Sequence, residues 1–97
     1  MASFIDIRTG KERKLPVLIK ESGIISEWKD SGDQLESLKK AVGGYIETVP
    51  VRPWRKVVMV VDEEGALKGK GINIIASEMA GQPIVGDVVL MEYDKLK

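Results

Sequence analysis

The sequence contains neither cysteine nor histidine among its 97 residues. Without cysteine the chain forms no disulfide and offers no thiolate as a nucleophile or zinc ligand. Without histidine it lacks the side chain that most often acts as a general base near neutral pH and most often binds metals. These absences exclude Ser-His-Asp, Cys-His and histidine-assisted zinc chemistry within one chain. We therefore expect no enzyme, no metal site and no cofactor, although carboxylate and lysine mechanisms stay open.

Net charge and long apolar runs are also missing. Fifteen basic and fifteen acidic side chains cancel, so no long-range attraction draws the chain to nucleic acid or to an anionic membrane. The longest apolar run, Val57 to Val61, is far too short to span a bilayer. The first residues lack the basic segment and apolar stretch of a signal peptide. We expect a cytoplasmic protein without membrane contact.

The composition is that of a globular chain. Hydrophobic residues make up 43% and charged residues 31% of the sequence, and the length suits one domain over residues 1–97. Aromatic residues make up only 5%, so the core must be built from Val, Ile, Leu and Met. The pattern predicts an α+β domain: a small mixed, mostly antiparallel sheet with helices covering one face.

The main helix is expected at about residues 33–42. Leu35, Leu38 and Val42 recur at helical spacing and form one apolar stripe. Ser31 as N-cap, with Gln34 three positions on, makes a capping box. Asp33 with Glu36 is an equally good alternative cap, and Gly43 supplies the left-handed residue that ends the helix.

A short helix is expected at about residues 74–80. Asn73 stands at the N-cap position and Gly81 closes the helix. Asn73 is also a candidate for binding a ligand or partner, although capping alone explains it.

Six strands are predicted around these helices. They are an edge strand at Phe4–Ile7, a hairpin over residues 16–28, and strands at Tyr45–Val49, Lys56–Val61 and Ile84–Met91. The continuously apolar run after Lys56 indicates the central strand, covered on both faces. Gly86, inside the last strand, indicates a bulge or a close backbone approach.

The connections between these elements read mostly as solvated turns. Residues 11–14 are expected at a solvated hairpin tip, and Gly65 at a position of positive φ in the turn after Asp62. Ala66–Lys68 would pair back briefly. Asp62 to Glu64 offers three carboxylates to a cation, but consecutive side chains on a turn diverge. Residues 65–71 fail the phosphate-loop pattern by spacing and by their last residue, so a flexible turn is favoured. A simple backbone anion nest near residues 69–71 is the alternative.

The strongest candidate for a binding site is a run of cations around an aromatic ring. It consists of Arg52, Trp54, Arg55 and Lys56, in a predicted loop between two strands. Such cations neutralise phosphate while an indole stacks on a base. The alternative is a hairpin loop with solvated charges and a tryptophan folded onto the edge of the core, and it is the more common arrangement.

Four segments in a fixed order resemble the domain-of-unknown-function family 3846, found in bacteriophages and bacterial mobile elements. They are Val42-Gly43-Gly44-Tyr45-Ile46-Glu47, residues 60–69, Asn73 with Ala76, and residues 84–90. The resemblance implies a phage or mobile-element origin, and the expected location is the host cytoplasm if a phage encodes the chain. It implies no activity.

Two functional hypotheses follow. The first is a non-enzymatic binding protein of phage or mobile-element origin that engages a host protein or a small signalling nucleotide, with a counter-defence role as one option. The second, less favoured, is a nucleic-acid accessory protein that uses residues 52–56. Exposed strand edges such as Phe4–Ile7 would also permit a homodimer.

Overall fold

A computed structural model of the chain describes residues 3–6, 9–51 and 56–96. The helices and strands follow one another as β1 (Ser3–Asp6), β2 (Lys11–Lys14), β3 (Val17–Ile19), β4 (Ile25–Glu27), α1 (Gln34–Val42), β5 (Ile46–Pro50), β6 (Val57–Asp62), α2 (Ile74–Ala80) and β7 (Val88–Glu92), with a final 3-10 turn at Tyr93–Lys95. No helix in these ranges has the length and apolar character that a membrane span requires.

The main sheet has five strands in the order β4-β3-β7-β6-β5. All of its pairings are antiparallel, so the predicted α+β class is confirmed and the sheet is antiparallel rather than mixed. The central position belongs to β7 and not, as predicted, to β6. The interior position of β6 nevertheless agrees with its sequence, because all six of its residues are buried.

Helices cover both faces of this sheet, so the prediction that they cover one face is wrong. On one face α1 packs Leu38 and Val42 against Val60. On the other face Ala76 of α2 joins the cluster that contains Met59. The reason lies in β6: alternate residues of a strand point to opposite faces, and every residue of this strand is apolar up to Asp62. Each face therefore needs its own cover.

Of the two candidate caps for α1, the structure has Asp33. Its side chain accepts a hydrogen bond from the N–H of Glu36 at 3.2 Å. Ser31 instead bonds to Ser37, through both its N–H and its hydroxyl, at 2.9 Å each. The helix therefore begins two residues later than a Ser31 cap would place it.

The apolar stripe of α1 is narrower than predicted. Leu38 and Val42 are buried, whereas Leu35 is 48% exposed because it lies at the rim of the helix face. Gly43 ends the helix with φ +89°, as expected. The short helix is capped by Asn73 at its start and by Gly81 at its end, also as expected.

Three further expectations need correction. Residues 11–14 are not a hairpin tip: they form β2, which pairs with β1 in a separate two-stranded sheet. Residues 66–68 lie within consecutive turns and form no return strand. Gly65 does not have positive φ. Its small size serves close packing, because a Cβ there would lie 2.9 Å from a methyl carbon of Val85.

The strand register gives the main sheet two distinct ends. At one end β5 begins opposite the last residue of β6, and β3 ends opposite the first residue of β7. We call this the network end, and it comprises residues 20–24, 43–45, 62–74 and 84–87. At the opposite end lie residues 15–16, 28–34 and 91–96, which we call the groove end.

Candidate functional site

Asp62 is the last residue of β6 and the centre of the network end. Its side chain is only 1% exposed. One carboxylate oxygen, Oδ2, accepts hydrogen bonds from Lys70 Nζ at 2.7 Å and from Lys68 Nζ at 2.9 Å. The other, Oδ1, accepts the backbone N–H of Glu64 at 2.9 Å. A buried carboxylate is stable only when charged or polar groups surround it in this way.

The same two lysines also reach the end of α1. Lys68 Nζ donates to the carbonyl of Gly43 at 2.9 Å, and Lys70 Nζ donates to the carbonyl of Val42. The last carbonyls of a helix lack partners within the helix and carry its partial negative charge. Two ammonium groups therefore join the loop after β6 to both the sheet and the helix.

The pKa of Asp62 reflects this environment. Burial by itself would raise the pKa, but the hydrogen bonds from Lys70 and Lys68 outweigh it and lower the pKa from 3.8 to about 2. The carboxylate is therefore ionised throughout the physiological range. Because it is enclosed by its own lysines, it offers no oxygen to an external cation.

Glycines let the lysines approach closely. A Cβ on Gly44 would collide with Lys68 Nζ and with the carboxylate of Asp62. A Cβ on Gly86, whose φ is +75°, would lie 2.7 Å from Cδ of Lys70. The close backbone approach predicted at Gly86 is thereby confirmed, and the group that approaches is a lysine stem.

At residues 69–71, the N–H of Gly71 binds a carboxylate of the chain itself. Glu21 Oε1 accepts the N–H of Gly71 at 3.1 Å, and the N–H of Glu21 donates to Asp87 Oδ1 at 2.9 Å. Gly86 in turn donates its N–H to the carbonyl of Gly71 at 2.9 Å. The turn after β3 is thus bonded to two other loops of the network end.

Asn73 completes this set of contacts. Its side-chain oxygen accepts the N–H of Ala76 at 3.1 Å and caps α2, as the sequence predicts. Its amide nitrogen donates to the carbonyls of Ile19 at 3.0 Å and Gly86 at 2.8 Å. The residue is 1% exposed, and its side chain joins three segments of the chain.

Apolar side chains project outward from the loops that this network holds. Five of the eight large hydrophobic side chains that are exposed among the described residues lie at the network end: Ile24, Tyr45, Leu67, Ile72 and Ile74. Asn73 has an extended backbone and an inward side chain. Because side chains alternate along an extended segment, Ile72 and Ile74 both point outward beside it.

The groove end carries the other candidate surface. Leu15, Trp28 and Met91 are among the residues that line an open groove of about 680 Å³, with Lys29 and Lys95 at its rim. Trp28 is half-buried and packs against the core on the α1 side. The cation and indole candidates Arg52, Trp54 and Arg55 lie outside the described residues, whereas Lys56 is described and exposed.

The acidic run after β6 does not form a cation site. Asp62 is buried against its lysines, whereas Glu63 and Glu64 are exposed. Across residues 3–6, 9–51 and 56–96, no group of three or more Asp and Glu side chains is arranged to hold a metal ion. The carboxylate of Asp62 is thus enclosed, whereas those of Glu63 and Glu64 face solvent, and the three do not act together.

Sequence reasoning missed the pairing of Asp62 with Lys68 and Lys70, since it treated residues 62–65 as a solvated turn. The position of Asp62 could have indicated its burial. It directly follows five consecutive apolar residues, so it continues the buried strand and its carboxylate needs a partner there. Lysines six and eight residues later are near enough along the chain to return to it.

A model of the family described as "Domain of unknown function (DUF3846)" matches residues 13–96. The resemblance inferred from the sequence is thereby confirmed. No curated protein and no solved structure matches the chain. All four segments that carry the resemblance contribute residues to the network end, through Gly43, Asp62, Asn73 and Gly86.

Proposed function

Because the chain belongs to the DUF3846 family, whose description assigns no activity, we propose from its own geometry that it is a non-enzymatic binding protein that engages another protein through the network end. The observation that carries this proposal is a set of exposed apolar side chains on loops that buried hydrogen bonds hold in place. Leu67 is 86% exposed and Ile74 is 67% exposed.

Rigid support gives those exposed side chains their significance. Scattered apolar residues are ordinary on any protein surface, but apolar side chains grouped at one end of a fold are typical of interaction sites. Loops held by a scaffold lose little conformational entropy on binding. Here the bonds made by Asp62, Lys68, Lys70 and Asn73 fix the loops before any partner arrives.

The chemistry of this end favours recognition over catalysis. The chain has no imidazole or thiol, and the carboxylate of Asp62 is enclosed and has a pKa of about 2. A carboxylate with so low a pKa is a poor base at neutral pH. The remaining lysine and carboxylate mechanisms would need groups free to reach a substrate, and these lysines are bonded to Asp62 and to helix carbonyls.

A protein partner fits this end better than a nucleotide. The groove beside Lys70 measures about 290 Å³, and its charged lining residues are two acids and two lysines: Glu21, Asp87, Lys40 and Lys70. A phosphate site needs an excess of donors and positive charge, which balanced charges do not supply. The neighbouring apolar side chains suit the apolar surface of a protein.

Affinity capture tests the proposal. The immobilised protein is exposed to a lysate of the host cell in which its gene is expressed, and retained proteins are identified by mass spectrometry. Leu67→Glu and Ile74→Glu should each reduce capture of the specific partner at least about tenfold, since a buried unpaired charge costs more than 1.4 kcal/mol. Leu35→Glu, at the exposed rim of α1, is the matched control and should leave capture unchanged.

A panel of nucleotides tests the alternative that the ligand is a signalling nucleotide. Thermal unfolding is measured with mononucleotides, dinucleotides and cyclic dinucleotides. A ligand-dependent rise in Tm with no captured protein would replace the protein partner with a signalling nucleotide. Capture that is equally strong for wild type, Leu67→Glu and Ile74→Glu would show that the partner surface lies elsewhere.

A nucleic-acid accessory role is the second candidate. The exposed cations Lys29 and Lys95 support it, because both line the groove that contains Trp28, together with the acids Asp30 and Glu92. Lys56 is a further exposed cation. Binding through phosphate contacts should weaken steeply with salt, and Trp54→Ala should remove about 1–3 kcal/mol of stacking. The absence of a mobility shift on DNA or RNA at low salt would eliminate this role.

The family resemblance supports an origin in a phage or mobile element, and this origin would make the partner a host protein and the cytoplasm the place of action. Genes for phage structural or integration proteins beside the coding gene would support the origin. Fractionation of cells that express the protein tests the location.

A further inference from the structure

The outer edge of β5 is self-complementary. The N–H of Glu63 donates to the carbonyl of Tyr45 at 2.8 Å, which makes this a hydrogen-bonded pair in the β5–β6 register. Backbone groups alternate sides along a strand, so Glu47 and Val49 also direct theirs at β6. The N–H and C=O groups of Ile46 and Thr48 therefore point away from the sheet, as does the carbonyl of Pro50.

The position of Pro50 agrees with this assignment. It is the last residue of β5 and pairs in register with Val58. A proline has no N–H, and within a sheet it is tolerated where the missing donor would face outward from an edge strand. In the part of the chain that the structure describes, no strand lies beyond β5.

We infer that two copies of this chain pair antiparallel through β5, about a two-fold axis at Thr48. In this register each Thr48 faces its counterpart, and each Ile46 faces Pro50 of the other copy. Thr48 exchanges two hydrogen bonds across the axis, and each Ile46 N–H donates to a Pro50 carbonyl. The four outward N–H groups of the two copies, those of Ile46 and Thr48, are therefore all bonded. Because Pro50 has no N–H, only the carbonyls of the two Ile46 residues stay without a partner across the axis.

The side chains of β5 are compatible with this pairing. Glu47 and Thr48 are exposed and remain free to face the second copy. Glu47 would lie opposite Val49 of the other copy, so no like charges stand directly opposite one another, an arrangement that would oppose pairing. At five residues β5 is the longer edge of this sheet, because β4, at the other edge, has three.

Cysteine cross-linking tests the register directly, because the natural chain has no cysteine. Thr48→Cys should give a covalent dimer on mild oxidation or with a short bismaleimide. Glu27→Cys, on β4, is the matched control and should remain monomeric under the same conditions. Cross-linking at position 27 and not at position 48 would overturn the assignment to β5.

Light scattering during gel filtration gives the second readout. The wild-type chain should show a concentration-dependent dimer, and Thr48→Lys should raise the dimer dissociation constant about fivefold or more, because two ammonium groups then meet at the axis. Circular dichroism checks that the variant is folded. A wild-type chain that stays monomeric at millimolar concentration, or a Thr48→Lys variant that dimerises as strongly as wild type, would refute the inference. Neither result depends on the partner surface at the network end.

Discussion

At the scale of single residues, buried polar side chains determine how the network end is built. Asp62 and Asn73 are both enclosed, and each has its side-chain oxygens bonded. Enclosed polar groups of this kind contribute stability only while all their partners are present. Their removal should therefore cost more than the loss of surface groups with similar chemistry.

The Asp62 carboxylate should stabilise the fold in a pH-dependent way. Its folded pKa of about 2 lies below the ordinary 3.8, so its contribution is present above about pH 4 and is lost as the pH falls toward 2. We expect Asp62→Asn to lower the free energy of unfolding at pH 7 by about 2 kcal/mol at most, because solvent near Lys68 screens the pair.

Urea denaturation at several pH values measures this effect. The difference between wild type and Asp62→Asn should shrink between pH 4 and pH 2. Glu64→Gln, whose side chain is exposed, should change stability by less than about 0.5 kcal/mol. A difference that is constant from pH 7 to pH 2 would mean that the charge of Asp62 is not what stabilises the network.

Asn73 and Asp33 allow a comparison of two caps. Asp33→Ala removes a helix cap and should cost about 1 kcal/mol. Asn73→Ala removes a cap and also leaves the carbonyls of Ile19 and Gly86 without their donor, so it should cost about 2–4 kcal/mol. Asn73→Asp keeps the cap but directs an anionic oxygen at those carbonyls, so it should not restore stability.

Chemical denaturation of the three variants decides the comparison. Equal costs for Asn73→Ala and Asp33→Ala would show that Asn73 acts only as a cap.

Sequence reasoning identified the residue that caps α2 but not all that it does. The cap depends on residues three positions apart and is therefore visible locally. The bonds from Asn73 to Ile19 and Gly86 span 54 and 13 positions, and no local pattern encodes contacts at such separations. The pairing of Asp62 with its lysines was missed for a different reason, since a turn composition was taken to indicate solvent exposure.

At the scale of elements, glycine geometry connects β7 to the network. Gly81 and Gly86 have nearly the same positive φ, +71° and +75°, but only Gly86 has a neighbour in the space that a Cβ would occupy. Gly81→Ala should cost about 1–2 kcal/mol from backbone strain alone. Gly86→Ala should cost at least about 1 kcal/mol more, because Lys70 must move away from Asp62.

Thermal and urea unfolding of both alanine variants measure the difference. In the double variant Gly86→Ala with Lys70→Met, the ion pair between Lys70 and Asp62 is already absent. The losses in free energy of unfolding from the two substitutions should therefore be less than additive. Full additivity would indicate that Lys70 does not press against residue 86.

Helices and the local hairpin were predictable, whereas the arrangement of the sheet was not. The main helix, the short helix and the hairpin over residues 16–28 follow from spacing, caps and turns within a few residues. The sheet places β3 beside β7, which is about seventy positions away, and β1 with β2 in a sheet of their own. Such pairings depend on tertiary packing, which local patterns do not carry.

Local patterns also predicted a wider apolar stripe on α1 than the structure buries. Leu35 shares the helical spacing of Leu38 and Val42, and only the position of the sheet decides that it stays at the rim.

At the scale of the whole molecule, the two ends of the sheet differ in construction. The network end combines enclosed ions with exposed apolar side chains, whereas the groove end has an open groove beside Trp28. From the sequence, the candidate site was expected at residues 52–56, of which the structure describes Lys56. The network end escaped prediction because its parts come from four separate loops.

Hydrogen exchange monitored by mass spectrometry tests the central claim most directly, by comparing the free protein with its complex with the captured partner. We expect new protection in residues 63–74 and in residues 20–24, and unchanged exchange in residues 28–34 at the groove end. Protection confined to the groove end, with residues 63–74 unchanged, would contradict it.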